Sequence, residues 1–144
     1  IGNIHHDRIL LIEGPLSLAT RAEKIPIRIE NAAITAKEPG TEKRVATWVE
    51  QNIHVEGRPD WVFVKVHTHG TQERDVDALL GKPVGDMFNY LETRYNDGTN
   101  YVLHYVSARE MYNIAKAAEA GKSGDPNTYR DYLVPKPGYL HDAA

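Results

Sequence analysis

The sequence predicts an α/β fold built on parallel strands, and three observations carry that expectation. Short apolar runs alternate with helically periodic segments in the order β, β, α, β, α, β, α, a pattern that buries a parallel sheet under helices. The run from Trp61 to His69 begins apolar on both faces, as a strand covered on both sides does. Its later residues turn polar on one face, towards the C-terminal end where ligand sites of parallel α/β folds lie.

Each element has a local reason. Ile4 to Arg8 reads as irregular and carries His5 and His6. Arg8 to Glu13 is a short apolar run closed by Gly14-Pro15, a buried-strand pattern. Ile25 to Asn31 is a second strand, with Ile25, Ile27 and Ile29 on one face and Arg28 and Glu30 on the other. Lys37 to Gly40 is a loop, and Thr41 caps a helix running to about Asn52. Val45, Trp48, Val49 and Asn52 fall at helical spacing on it, which makes Trp48 a core residue. Gly57-Arg58-Pro59 breaks the chain before the strand from Trp61.

A charged loop spans Thr71 to Asp77, and a helix covers Val84 to Arg94 with Met87, Phe88, Leu91 and Tyr95 as its apolar stripe. Asn96-Asp97-Gly98 is a turn, and Tyr101 to Val106 is another strand. Ser107 and Glu110 have the spacing of a capping box, which opens a helix to about Ala120 with Gly121 past its end. The chain thus divides into an α/β catalytic-type domain over residues 1–121 and an irregular tail over 122–144.

A chain of 144 residues, 41% hydrophobic and 26% charged, suits one domain with a real core. Its net charge of −3 offers no broad attraction to nucleic acid or an anionic membrane surface. It has no cysteine, which excludes disulfides, thiolate catalysis and sulfur-ligated metals. No stretch approaches the roughly 20 apolar residues of a membrane span. No signal peptide is visible, which leans the expected compartment towards the bacterial cytoplasm.

The polar residues of interest gather on the third strand. Period-two alternation puts Trp61, Phe63, Lys65, His67 and His69 on one face. Two histidines at i and i+2 on a strand can ligate one metal or bind one substrate together. Lys65 lies one step deeper; it is either a buried lysine paired with a carboxylate or a catalytic group, and Glu30 and Arg28 are its candidate partners. The other histidines have plainer readings: His5, His6 and His54 as surface residues, His104 as a hydrogen-bonded core residue, and His141, in the tail, as uninformative. Glu73, Arg74, Asp75 and Asp77 read as a solvated charge run.

Val64-Lys65-Val66-His67, the helix around Met87 to Tyr95, Asp97-Gly98, the strand Tyr101 to Val106 and Ala108-Arg109-Glu110 follow one another in a layout that resembles the C-terminal part of the polysaccharide deacetylases of the NodB-homology, carbohydrate esterase type. The resemblance covers about half of the chain, roughly residues 60–120, and is one of layout more than identity. It implies part of a distorted (β/α)7 barrel that removes acetyl groups from a bacterial surface or capsule glycan. It also implies a divalent metal, zinc or similar, bound mainly by residues outside this chain. Carried over by position, His67 protonates the leaving group; Lys65 and Glu30 join it as catalytic candidates, and His69, Arg28 and Trp61 as substrate-binding ones. Lys65 stands where the family has a leucine, His69 is additional, and the family's Asp-Asp and His-x-x-x-His motifs do not occur. The expectation drawn from these departures and from Ile1 is a C-terminal portion of a longer protein, associating with its other half or with a second copy.

Two rival functions use the same residues. An amidohydrolase or PHP-type metallohydrolase would use His67 and His69 as metal ligands. A non-enzymatic carbohydrate-binding domain would stack sugar rings on Trp61 and on tyrosines, which supply eight of the twelve aromatic residues.

Overall fold

The computed structural model describes residues 10–12, 14–19, 28–70 and 72–138, with the backbone alone at Ala19 and Arg28. The chain forms two compact units. One comprises Ile12–Ile53 and Val62–Leu103; the other comprises Ile1–Leu11, His54–Trp61 and His104–Ala144.

In the first unit the strands β1 (Ser17–Ala19) and β2 (Arg28–Glu30) pair antiparallel, with Leu18 opposite Ile29. Helix α1 (Glu42–Glu50) starts where the sequence predicts, because the Thr41 hydroxyl accepts from the Arg44 amide at 3.4 Å. After a 3-10 turn at Glu73–Asp75 come α2 (Val76–Leu80) and α3 (Lys82–Arg94), the latter with proline in its first turn. The core is Ala32, Ile34, Val45, Trp48 and Met87, with Val64, Leu79, Val84, Tyr90, Leu91 and Tyr95 packed against it. Trp48 is core, as its helical spacing predicts. Phe88, expected in the α3 stripe, is instead 44% exposed.

The second unit is organised by α4 (Ala108–Glu119), whose predicted capping box is present in full. The Ser107 amide donates to Glu110 Oε2 at 2.7 Å, and the Glu110 amide donates to Ser107 Oγ at 3.3 Å. Gly121 follows with φ +72, the left-handed geometry that ends helices. The residues after it are held against α4 by Asn113, which is fully buried. Its amide nitrogen donates to the carbonyls of Arg130 (2.6 Å) and Val134 (2.7 Å), and its oxygen accepts from the amides of Leu133 (3.1 Å) and Val134 (2.8 Å). Arg109 adds an ion pair with Asp131 at 2.5 Å.

The expectation of parallel β/α units forming part of a barrel is overturned. Among the described residues the only sheet is the two-stranded antiparallel β1–β2 pair. The predicted strand Trp61–His69 makes a single parallel bridge, between His67 and Ala33. Ala32 explains why it stops there. Its φ of 58 turns the backbone immediately after β2, so β2 does not continue alongside residues 62–66. Tyr101–Val106 is not a strand either. The Tyr101 amide donates to Asp97 Oδ1 and the Leu103 amide to Asn96 Oδ1. Side chains of the preceding turn thus take the donors that a ladder needs. The predicted strand at Arg8 to Glu13 has no regular structure at residues 10–12, and the rest of it lies outside the described residues.

Candidate functional site

The site gathers on the segment that the sequence singles out. His67 is fixed through its backbone in both directions: its amide donates to Ala32 O at 3.2 Å, and its carbonyl accepts from the Ile34 amide at 2.8 Å. Lys65, two residues earlier, is backed by Gly14. A Cβ at Gly14 would stand 2.6 Å from the Lys65 carbonyl oxygen, so only glycine allows this approach. The loop after His69 is tied back by Asp75, which is buried and accepts from the Ala36 amide at 2.8 Å. Asp75 is therefore not part of a solvated charge run.

The imidazoles of His67 and His69 meet edge to face with centroids 6.2 Å apart. His69 is exposed and His67 half-buried. Nδ1 of His67 is buried and takes no hydrogen bond among the described residues, which leaves Nε2 as the nitrogen for a ligand. Partial burial lowers the His67 pKa, and the positive charge of Lys65 and the neighbouring His69 lower it further. The shift favours the neutral imidazole, the form that accepts a proton.

Glu30 is elsewhere engaged. Its side chain is 1% exposed and forms a two-pronged ion pair with Arg44: Nε to Oε2 at 2.8 Å and Nη2 to Oε1 at 2.7 Å. Trp48 Nε1 (3.0 Å) and the Ala32 amide (2.9 Å) also donate to Oε1. Burial works to raise this carboxyl's pKa, but the bonds from Arg44, Trp48 and Ala32 outweigh it and bring it down to about 2. Arg44 also donates to the carbonyls of Ala33 (2.7 Å), Glu38 (2.5 Å) and Pro39 (3.0 Å). Glu30 is thus the anchor of a buried network and the partner of Arg44, where the sequence suggested Lys65.

The remaining candidates are described each in its own surroundings. The Arg28 side chain lies outside the described residues. Trp61 belongs to the second unit, where it is 7% exposed, 5.7 Å from the Tyr129 ring and under the Arg58 guanidinium at 5.5 Å. His104 stands 3.9 Å from Asp125 Oδ1, and His54 is exposed. His5, His6 and His141 lie outside the described residues. Sequence reasoning missed Arg44. Its signal was present, because Arg44, Val45 and Trp48 fall on one face of α1, and a charge on an apolar face implies a buried partner.

A divalent metal is fitted poorly by what these residues offer. Among the described residues no group of three or more His, Cys, Asp or Glu converges as metal ligands do, and His67 with His69 supplies two imidazoles without a carboxylate. No helix among the described residues is long and apolar enough to cross a membrane. No family model, curated protein or solved structure matches the chain.

Proposed function

We propose that the chain serves a hydrolase of the polysaccharide deacetylase type, removing acetyl groups from a bacterial surface or capsule glycan, with His67 as the proton-transfer group. The observation that carries this reading is the setting of His67: a half-buried imidazole on a backbone bonded in both directions, beside His69, with Nδ1 buried. The substrate class rests on the layout from Val64 to Glu110, of which the two helices stand and the two strands do not.

The chemistry follows from the residues. Nε2 of His67 takes a proton from the water that attacks the acetyl carbonyl, as a carbon–oxygen bond forms. The resulting imidazolium returns that proton to the leaving sugar nitrogen or oxygen as its bond to the acetyl carbon breaks. Lys65, close enough to depress the His67 pKa, supplies positive charge for the tetrahedral oxyanion. His69, exposed beside it, is placed to bond a sugar hydroxyl. No step here depends on a divalent metal, which the described residues do not fit.

The test is acetate release by the full chain from N- and O-acetylated oligosaccharides. The expected result is turnover that falls by about 10²- to 10⁴-fold in His67→Ala, the usual contribution of general acid–base catalysis. Equal turnover by the variant, or glycan binding by the wild type without acetate release, overturns the reading; the second outcome would instead favour a carbohydrate-binding domain.

A further inference from the structure

We infer that Glu30 and Arg44 are positioning residues for His67, acting through the segment Ala32–Ala36. The inference rests on the proposed role of His67 and extends it to residues that touch no substrate.

The chain of contacts is continuous. Glu30 Oε1 accepts from the Ala32 amide, and Arg44 Nη2 donates to the next residue's carbonyl, at Ala33. These two bonds hold Ala32 at φ 58, a conformation that residues with a side chain seldom adopt. Strain of this kind persists only where the surroundings over-determine it. The residues so held then present a row of backbone groups at alternate positions. Ala32 O accepts from the His67 amide, the Ile34 amide donates to the His67 carbonyl, and the Ala36 amide donates to the Asp75 carboxylate. The row therefore fixes His67 itself and the loop that follows His69.

The geometry favours positioning over direct participation. Glu30 and Arg44 are both buried, and the Glu30 carboxylate already accepts from three groups. With its side chain 1% exposed, it is not open to a substrate. What it does have is control of one backbone conformation, and a small misplacement of a catalytic group is enough to cost about 100-fold in rate.

The experiment compares Glu30→Gln and Arg44→Lys with wild type in acetate release, with circular dichroism as the check on folding. Arg44→Lys keeps the charge pair and loses the planar fork, so it serves where Glu30→Gln fails to fold. The expected result is a fall in kcat of about 10- to 100-fold with KM within about twofold, and a shift in the acidic limb of the pH profile. A folded variant with unchanged kcat and pH profile overturns the inference. Amide exchange at His67 and Ile34 is a second readout that needs no turnover: faster exchange there than at Leu91 in Arg44→Lys supports positioning, and equal exchange refutes it. If wild type releases no acetate the function reading fails, and the exchange comparison still decides this one.

Discussion

Glu30 gives the sharpest prediction because its energetics can be worked from its contacts. An ordinary glutamate carboxyl at 4.5 is brought to about 2 in the folded chain, chiefly by Arg44 and Trp48 acting against burial. At about 1.4 kcal/mol per tenfold change in proton affinity, the charged form contributes about 3 kcal/mol to stability. The sign follows from the lowered value. This contribution is fully present above pH ~4.5 and is lost as the pH falls towards 2. Glu30→Gln removes the charge and leaves Arg44 buried without its counter-ion, at a cost of about 3–5 kcal/mol at pH 7. Urea unfolding followed by tryptophan fluorescence, from pH 7 down to pH 2.5, measures both. Wild type and variant should differ by several kcal/mol at neutral pH and converge on acidification. Parallel stability curves, with a gap independent of pH, would show that the carboxylate is not what holds this network.

Three further outcomes follow from other contacts. Ala32→Val puts a β-branched residue at φ 58 in a fully buried position and should lower stability by about 2 kcal/mol or more in urea unfolding, whereas Ala32→Gly relieves the strain and should stay within about 1 kcal/mol of wild type. Asn113→Ala removes four hydrogen bonds to the chain at 130–134 and should cost about 2–4 kcal/mol, with amide exchange at Leu133 and Val134 accelerated most. Asp97 accepts from the amides of Thr99, Tyr101 and Asn100, which lower its pKa, so those three amides should lose protection only as the pH falls below the ordinary carboxylate range, and Asp97→Ala should lose it at every pH.

The helices were legible and the sheet was not, for one physical reason. A helix is specified by residues within a turn of one another. Thr41 capping Arg44, Ser107 with Glu110, and Gly121 at the helix end are all local contacts, and the structure has each of them. A strand is specified by a partner elsewhere in the chain. The alternation from Trp61 to His69 defines two faces but says nothing of what lies alongside. Whether a ladder forms there turns on the φ of Ala32, and an alanine carries no sequence signal for a left-handed backbone. The same holds at Tyr101 and Leu103, where Asp97 and Asn96 take the amides that alternation assigned to a neighbouring strand.

The candidate site divides in the same way, into local and long-range parts. His67, His69 and Lys65 fall together because three residues at spacing two on an extended run need no long-range information. The sequence marks Glu30 as a polar residue that has to be satisfied and offers Lys65 as a candidate partner. The physics of burial chooses otherwise. A carboxylate removed from water needs several donors at once, and a guanidinium fork supplies two in one plane, whereas an ammonium is a point charge on a flexible stem. Arg44 meets that need and also reaches the Ala33 carbonyl, so satisfying the carboxylate also fixes the backbone that carries His67. That coupling makes the stability of the network and the placement of the imidazole two readings of one structure. Variants at Glu30 should therefore move both, whereas a change at Asn113, in the other unit, should move only stability.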